Sequence, residues 1–512
     1  MHSKSIPSTL VFLLLAACAS AQSSNGCSGL TTFKAPNVEI TKAANIPAGT
    51  TEPNPFGPGH SAPLPAYCRV EGMMNRHSGV DGEQFGIGFI LALPDKWNHD
   101  FLMQGGAGSN GVIMPPIGPN AAGDTPALMR GFAVVSTDTG HKSHRQGFDF
   151  AFVKDQQASL DFAYLANAEV ATLAKQLIAQ YYGKPAAYSY FSGCSTGGRE
   201  GMILSQRYPT VFDGIIVGDP AMRTGFSNLA IGKWIPVAFN QIAPKDSNGK
   251  PIIAQAITDA DRKLLMDALV KKCDAKDGVA DNLISDPLGC DFDPAEIECK
   301  AGKSDACLAP QKVAAIKRAM GGPKTSSGLQ VYPGFPYDTG ITMTGFIRGI
   351  LVLGPGIFGP APTDMEVDVE KEALAAAQPL VDSMSTNLTT FAQHKGKLIF
   401  YHGDSDPWFS PLDTFGYYKD MVEANGGLDT VSKWSQFYFV PGMGHCGGGP
   451  ALDQFDLITP MVNWVEKGTT PMSVTATGRT FPGRSRPLCA YPKHAQYKGQ
   501  GNSEDAGNFE CR

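Results

Sequence analysis

The chain has 512 residues and a formal net charge of −6, from 42 lysines and arginines against 48 aspartates and glutamates. This balance gives no basic footprint for nucleic acid, and beyond the extreme N-terminus no apolar run is long enough to span a bilayer. With 58 glycines, 38 prolines and 18% charged residues, the composition is that of a loop-rich globular protein. The chain is too long to fold around one simple hydrophobic core, so we expect several domains or one elaborated domain.

The first 21 residues have the pattern of an export signal. Lys4 supplies a positive charge, and the apolar run 10–17 follows it. Two processing sites compete: Ala-Ser-Ala at 19–21 fits signal-peptidase cleavage, whereas the preceding residues resemble a bacterial lipobox that ends at Cys18. Both predict a secreted or periplasmic protein, and the second predicts an outer-membrane lipoprotein with a lipid anchor at Cys18.

Ten cysteines follow Cys18, and this even number predicts five disulfides in an exported chain. A zinc site is the alternative, but the sequence contains no C-x-x-C or H-x-x-x-H spacing. We expect Cys27 and Cys68 to pin the Pro/Gly-rich arm over residues 22–80. Cys489 and Cys511 are expected to clasp the tail after residue 468, which is predicted to be irregular.

Strand and helix patterns alternate along most of the chain, which predicts an α/β fold with a mostly parallel, doubly wound sheet. The predicted strands are 85–93, 101–104, 132–136, 187–191, 214–218, 397–401 and 437–440. The predicted helices are 156–181, 199–207, 411–424 and 455–467.

The alternation stops between residues 221 and 390, where short helical patterns at 259–272 and 310–320 stand among Pro, Gly and four cysteines. A long insertion of this kind over an α/β core is usually a lid or binding domain. We therefore predict a catalytic domain in two parts, 22–220 and 391–512, with a lid domain over 221–390.

One short motif fits a catalytic nucleophile. Gly193-x-Ser195-x-Gly197 lies between a predicted strand and a predicted helix, the context in which G-x-S-x-G forms a nucleophile elbow. The glycines let the strained turn pass close to its neighbours. A Gly/Ser turn without chemistry is the alternative interpretation.

A serine nucleophile requires a base and an orienting carboxylate, which follow it in chain order in α/β-hydrolases. His445 comes directly after the strand 437–440, where the base is expected, and Asp404 and Asp406 both come after the strand 397–401. Spacing alone does not separate the two aspartates. Among the other histidines, His141 precedes the nucleophile and so has the wrong order, and we interpret His402, at a strand end, as structural.

A cysteine stands beside each of the two reacting residues. Cys194 precedes Ser195 and Cys446 follows His445, so these cysteines are close enough to bridge if the serine and histidine meet. Such a bond would join residues 252 apart in the chain and preorganise the pair.

This Cys-Ser, Asp, His-Cys arrangement resembles the tannase and feruloyl esterase family, over nearly the whole chain after the export signal. The segments that carry the resemblance are Gly193-Cys194-Ser195-Thr196-Gly197-Gly198-Arg199, His402-Gly403-x-x-Asp406, Gly442-Met443-Gly444-His445-Cys446, 105–111 and 487–492. Residues 199–202 and 440–443 resemble a bacterial branch that includes terephthalate half-ester hydrolases.

The resemblance implies an α/β-hydrolase core with an inserted lid, and it selects Asp406 as the acid. It implies an oxyanion hole from the backbone N–H groups of Gly108 and Thr196, which agrees with the usual arrangement in this fold. By the same resemblance Phe409 lies against the substrate ring and Arg348 binds a substrate carboxylate. A surface arginine with its stem on an apolar face is the alternative for Arg348.

A second constellation of acidic residues lies in the insertion. Three carboxylates within eight residues, at Asp274, Asp277 and Asp281, repel one another unless they are solvated or neutralised, and hard oxygen ligands suit Ca²⁺. The resemblance implies a lid calcium held by these three side chains and by the carbonyls of Val279 and Leu283. It also implies the disulfides Cys273–Cys290 and Cys299–Cys307. The alternative is a solvated acidic turn.

These expectations predict an exported serine esterase that acts on small aromatic acid esters of the feruloyl, galloyl or hydroxybenzoyl type. A terephthalate half-ester hydrolase is one alternative. A non-catalytic, calcium-stabilised binding protein is the other.

Overall fold

The computed structural model describes residues 26–53, 59–143, 149–300, 306–339 and 362–512. The expected export signal over 1–21, the lipobox Cys18 and the substrate candidate Arg348 lie outside these residues.

A nine-stranded sheet runs through the centre of the described chain. Its strands are β1 (Val38–Ile46), β2 (Tyr67–Ser78), β3 (Gln84–Pro94), β4 (Phe101–Gln104), β5 (Ala133–Thr137), β6 (Ser189–Cys194), β7 (Gly214–Gly218), β8 (Lys397–Gly403) and β9 (Ser435–Val440). Their spatial order is β1-β2-β3-β5-β4-β6-β7-β8-β9. The pairs β1–β2, β2–β3 and β3–β5 are antiparallel. The remaining pairs, β5–β4, β4–β6, β6–β7, β7–β8 and β8–β9, are parallel. The predicted α/β fold with a mostly parallel sheet is confirmed.

The parallel strands are buried on both faces. Every residue of β4, β5, β6 and β7 is buried, and strands covered by helices on both faces carry continuous apolar sequence rather than alternation. The carboxyl ends of β6, β7, β8 and β9 lie side by side. The loops that follow these strands therefore meet at one edge of the sheet, where open α/β sheets bind ligands.

Twelve helices accompany the sheet in the described residues. They are α1 (Gln156–Leu160), α2 (Ala166–Tyr182), α3 (Thr196–Arg207), α4 (Thr224–Leu229), α5 (Ile235–Asn240), α6 (Asp259–Cys273), α7 (Pro310–Met320), α8 (Val369–Ala376), α9 (Thr389–Gln393), α10 (Pro411–Ala424), α11 (Leu428–Val431) and α12 (Ile458–Lys467). The long helix predicted over 156–181 is present as α1 and α2, joined by a π-helical turn at Asp161–Leu165.

Two regions for which the sequence predicts no strand contain strands. In the N-terminal arm, β1 and β2 pair antiparallel, and the burial of β2 alternates between buried and half-buried residues. The Pro/Gly-rich stretches on either side obscure this period-2 pattern in the sequence. The tail contains β11 (Ser473–Thr477), β12 (Ser485–Cys489), β13 (Ala495–Tyr497) and β14 (Phe509–Cys511), and β11 also pairs with β10 (Gln454–Phe455), which lies before α12. These strands are short, and their pairing is not visible from local composition.

Five disulfides join cysteines of the described residues, in the five pairings predicted from the sequence. They are Cys27–Cys68, Cys194–Cys446, Cys273–Cys290, Cys299–Cys307 and Cys489–Cys511. The second joins residues 252 apart in sequence, and of these five it alone links the chain before residue 220 to the chain after residue 391.

The inserted region has a hydrophobic core of its own. Two clusters fill the two sides of the main sheet, whereas a third takes all its buried members from residues 230–335. Trp408, from the loop after β8, packs against this third cluster, so the insertion lies over the carboxyl edge of the sheet.

In the parts of the chain that the structure describes, no helix has the length and apolar character needed to cross a membrane.

Candidate active site

Ser195 lies at a sharp turn between β6 and α3. Its φ of 64° and ψ of −123° are strained for a residue with a side chain. The turn is fixed by backbone hydrogen bonds, because Ser195 N donates to the Gly218 carbonyl and the Ser195 carbonyl accepts from Ala221 N, each at 3.0 Å. The predicted strand–elbow–helix context is therefore present around this serine.

His445 and Asp406 form a hydrogen-bonded pair. Nδ1 of His445 lies 2.8 Å from Oδ2 of Asp406, and the Asp406 side chain is fully buried. Asp404, the other candidate acid, instead accepts a hydrogen bond from Gly442 N at 2.5 Å. The structure thus separates two aspartates that spacing alone leaves equivalent.

The electrostatics of the pair favour a base held by an ionised acid. Burial disfavours the charged Asp406, but the imidazoles of His445 and His402 outweigh it and hold the pKa of the Asp406 carboxyl far below its usual range. Burial also opposes protonation of His445, yet the Asp406 carboxylate raises the pKa of His445 above its ordinary value. Asp406 is therefore ionised at neutral pH and can orient His445 and stabilise its imidazolium form.

The disulfide between Cys194 and Cys446 ties the elbow to the histidine loop. Its Cα atoms are 6.0 Å apart, and each cysteine adjoins one reacting residue. Ser195 and His445 both line one cavity at the carboxyl edge of the sheet. The structure thus brings together the nucleophile and base that the sequence places on separate loops.

The two predicted oxyanion residues are in contact. The Thr196 hydroxyl donates to the Gly108 carbonyl, and both residues line the cavity beside Ser195. Gly108 has a φ of +56°, in the left-handed region that favours glycine. The role of their backbone N–H groups as an oxyanion hole stays a prediction.

A buried glutamate that the sequence interpretation missed fixes this loop. Glu200, on α3, accepts hydrogen bonds from Gly106 N at 3.0 Å and from Asn110 Nδ2 at 2.6 Å. These contacts join residues 94 and 90 positions apart, so no local pattern reveals them. Glu200 links the helix after the nucleophile to the loop that carries Gly108.

Glycines bring the loop and the elbow into backbone contact. A Cβ atom added to Gly193 would lie 2.6 Å from the Gly197 carbonyl oxygen, and one added to Gly105 would lie 2.7 Å from Cα of Gly197. Side chains at these positions would clash with main chain that cannot move aside.

The cavity around Ser195 has a volume of about 480 Å³, within the range of small-molecule sites. Its aromatic wall consists of Phe150, Phe162, Trp408 and Phe409. The rings of Trp408 and Phe409 have centroids 5.3 and 5.4 Å from that of His445. Phe409 therefore lines the cavity, and its contact with a substrate ring stays a prediction. Arg348 is outside the described residues.

Among the described residues, acidic, histidine and cysteine side chains form two groups whose atoms are close enough together to hold a metal ion. In each group the potential ligand atoms lie within 4.8 Å of one another: Asp219, His402 and Asp406 form the first, and Cys194, Asp219 and Cys446 the second. The sulfurs of the second group are joined in a disulfide. In the first, the His402 ring and the Asp406 carboxylate are engaged in hydrogen bonds within the protein.

An elbow serine after β6, an acid after β8 and a histidine after β9 on a doubly wound sheet define an α/β-hydrolase. The comparison with known proteins agrees. A family model described as tannase and feruloyl esterase matches residues 68–350 and 361–512. The chain belongs to the tannase and feruloyl esterase family, and the protein is a carboxylic ester hydrolase.

Individual relatives match over most of their length. The mono(2-hydroxyethyl) terephthalate hydrolase of Piscinibacter sakaiensis is 36% identical over 520 residues, which cover 88% of this chain and 85% of that protein. Feruloyl esterase B of Aspergillus niger is 28% identical over 450 residues, 82% of each chain. The crystal structure of feruloyl esterase B from Aspergillus oryzae has the same fold, with a TM-score of 0.77 at 24% identity, and covers 95% of this chain and 99% of that one.

Proposed function

We propose that the protein hydrolyses small aromatic acid esters, of the feruloyl, galloyl or hydroxybenzoyl type, through an acyl-enzyme on Ser195. The observation that carries the proposal is that one cavity contains both the strained Ser195 and a His445 that is hydrogen-bonded to Asp406. The aromatic wall of that cavity and the named activities of the relatives support an aromatic acyl group.

In the proposed mechanism Ser195 Oγ attacks the ester carbonyl, and His445 Nε2 takes the serine proton and passes it to the leaving alcohol. The carboxylate of Asp406 keeps a proton on His445 Nδ1, which leaves the Nε2 lone pair available as base. The backbone N–H groups of Gly108 and Thr196 would stabilise the oxyanion. Water, deprotonated by His445, then attacks the acyl-enzyme and releases the acid and free Ser195.

We expect a fluorophosphonate probe to label the protein at one serine, Ser195, and to block hydrolysis of methyl ferulate in proportion to labelling. Peptide mapping by mass spectrometry identifies the labelled residue. Ester turnover without labelling at Ser195 would contradict an acyl-enzyme there. A protein with neither labelling nor turnover would support the alternative of a non-catalytic, calcium-stabilised binding protein.

Hydrolysis of a terephthalate half-ester is a second candidate function, favoured by the 36% identity to the Piscinibacter sakaiensis enzyme. The same serine machinery serves both candidates, and they differ in whether the site binds a second carboxylate on the acyl ring. An arginine suits that carboxylate, and the assignment of this role to Arg348 stays a prediction. Values of kcat/KM on methyl ferulate, methyl gallate and the half-ester separate the candidates.

The domain division and cellular location remain part of the proposal. A lid over 221–390 is supported by the separate hydrophobic core at residues 230–335. Export is supported by five disulfides, which persist in oxidising compartments. Mass spectrometry of the mature N-terminus distinguishes a soluble secreted or periplasmic protein from an outer-membrane lipoprotein anchored at Cys18.

We also propose that the acidic loop of the lid binds structural calcium. Asp274, Asp277 and Asp281 are buried, and burial together with the two neighbouring carboxylates raises the pKa of Asp277. Among the hydrogen bonds between described residues, none is accepted by the carbonyl oxygens of Val279 and Leu283. Asp281 is paired with Arg486 and lies 3.8 Å from Arg484, whereas the carboxylates of Asp274 and Asp277, with these carbonyls beside them, offer the hard oxygen ligands that suit a cation such as Ca²⁺. Bound there, calcium would stabilise the lid and take no part in the chemistry.

Removal of calcium is expected to lower the melting temperature without slowing the reaction of Ser195 with a fluorophosphonate. A ligand at 100 times its Kd stabilises a folded protein by about 2.7 kcal/mol. Differential scanning fluorimetry with EGTA, then with excess Ca²⁺, measures the effect. The Asp277→Asn variant should lose sensitivity to the chelator, whereas Asp291→Asn, at an exposed lid carboxylate paired with Lys276, should keep it. If EGTA leaves the melting temperature of the wild-type protein unchanged, the proposed calcium site is refuted.

A further inference from the structure

A second histidine lies directly behind the proposed catalytic acid. His402 is the penultimate residue of β8 and is fully buried. Its Nε2 atom lies 3.0 Å from the Phe409 carbonyl, 3.3 Å from Oδ2 of Asp406 and 3.6 Å from Oδ1 of Asp219. Oδ2 of Asp406 is the same oxygen that accepts the hydrogen bond from His445. One carboxylate oxygen therefore lies between two imidazoles.

The Asp406 carboxylate is held from both sides. Its other oxygen, Oδ1, accepts backbone hydrogen bonds from Trp408 N at 2.7 Å and Phe409 N at 3.2 Å. With Oδ1 held in this way, Oδ2 can move only by rotating towards or away from His445. Among the ion pairs between described residues, Oδ2 has two partners, His445 at 2.8 Å and His402 at 3.3 Å.

The surroundings of the His402 ring define its tautomer. Within the described residues Nδ1 has no hydrogen-bond partner, whereas Nε2 faces three oxygens. The proton therefore sits on Nε2, where it forms a hydrogen bond with the Phe409 carbonyl at 3.0 Å and faces Oδ2 of Asp406 at 3.3 Å. Asp219 follows the end of β7, and its Oδ1 accepts a hydrogen bond from Gly403 N at 2.9 Å, so it fixes the strand end that carries His402.

We propose that His402, backed by Asp219, is a positioning residue that holds Oδ2 of Asp406 towards His445 and shares its negative charge. Carboxylates and imidazoles would then alternate in a row from the core to the cavity, in the order Asp219, His402, Asp406, His445. This inference rests on the proposed function, because it assigns a role in the reaction of Ser195.

The proposal predicts a defined effect on pH dependence. His445 must be neutral to act as base, so kcat/KM falls as the pH drops through the pKa of His445. Without the His402 donor, Asp406 keeps more of its charge for the imidazolium, and that pKa rises. The other charged groups near His402 are Asp219 and Asp413, and Asp413 is paired with Arg223. Asp413 keeps its Arg223 partner when His402 is replaced, whereas the pKa of the buried Asp219 rises, because the imidazole of His402 holds it down.

The test compares His402→Leu, which removes the donor, with His402→Gln, whose amide nitrogen reaches the place of Nε2. Per active site titrated with a p-nitrophenyl phosphonate, His402→Leu should lose roughly tenfold to hundredfold in kcat, the range of hydrogen bonds to charged groups. Its KM should stay within about twofold, since no substrate contact is lost. The acid limb of kcat/KM should move up by about 0.5–1 pH unit. The His402→Gln variant should keep the wild-type limb and most of the wild-type kcat.

The outcomes separate the two proposals. If the wild-type protein shows no phosphonate burst, the proposed function fails, whatever the variants do. If it shows a burst, and His402→Leu keeps the wild-type kcat per active site and an unmoved acid limb, the positioning role is overturned. If His402→Leu does not fold, His402→Asn replaces it, because its shorter amide cannot reach Oδ2 of Asp406. If the acid limb of the kcat/KM profile of His402→Asn lies at the wild-type pH, the positioning role of His402 is likewise overturned.

Discussion

Replacement of Ser195 by alanine should abolish ester hydrolysis while the protein stays folded. In the proposed mechanism this hydroxyl forms the acyl-enzyme, and loss of the nucleophile from a serine hydrolase reduces kcat on the order of 10⁶-fold. The Ser195 backbone already has a strained φ of 64°, and alanine meets the same strain as serine at that φ, so stability should change little. Turnover of methyl ferulate and of a p-nitrophenyl ester, together with circular dichroism, measures the two effects.

The matched control is Ser159→Ala, the same change on α1 outside the cavity. This variant should hydrolyse both esters at the wild-type rate. Activity of Ser195→Ala close to that of Ser159→Ala would mean that another group performs the reaction.

Removal of the Cys194–Cys446 disulfide should reduce both stability and catalysis. The bond closes a loop of 252 residues, and in the chain-entropy model such a crosslink stabilises the folded state by about 5 kcal/mol. It also joins the neighbours of Ser195 and His445, and a displacement of about 1 Å between reacting groups costs about 100-fold in rate. The Cys194→Ala, Cys446→Ala double variant should therefore show a lower free energy of unfolding and a lower kcat.

The double variant Cys27→Ala, Cys68→Ala gives the comparison that separates the two effects. Its loop spans 41 residues, so the same model gives a loss of about 4 kcal/mol. The bond lies in the N-terminal arm, between the first helical turn of the described chain and β2, so kcat per titrated active site should not change. Urea denaturation and burst titration of both variants measure the difference. An equal kcat in the two variants would show that the Cys194–Cys446 bond stabilises without positioning.

The buried centre of the fold could be predicted, and its periphery could not. Strands such as β6 and β7 are covered on both faces, so their apolar runs stand out in the sequence. The strands of the N-terminal arm and of the tail depend on pairing with distant segments. Their edges are half exposed, so local composition resembles that of loops.

The candidate site shows the same division. The places of Ser195 and His445 follow from chain order and strand ends, which are local features. The choice between Asp404 and Asp406 depends on which carboxylate points to His445. Spacing gives no signal for that, and only the family resemblance selects Asp406. His402, interpreted from sequence as structural, and Glu200 act through contacts that only the folded chain creates. The roles proposed for these side chains stay predictions until the variants are measured.

The backbone contact of Gly105 with Gly193 and Gly197 has a consequence for how this enzyme can be changed. The position of the reacting centre is set there by main chain against main chain, whereas the cavity wall consists of exchangeable side chains such as Phe150 and Met114. Substrate range and catalytic geometry are therefore separate variables. A directed-evolution library confined to the wall can explore new esters with the hydrolytic apparatus intact, while any library that includes the three glycines consists mostly of inactive clones.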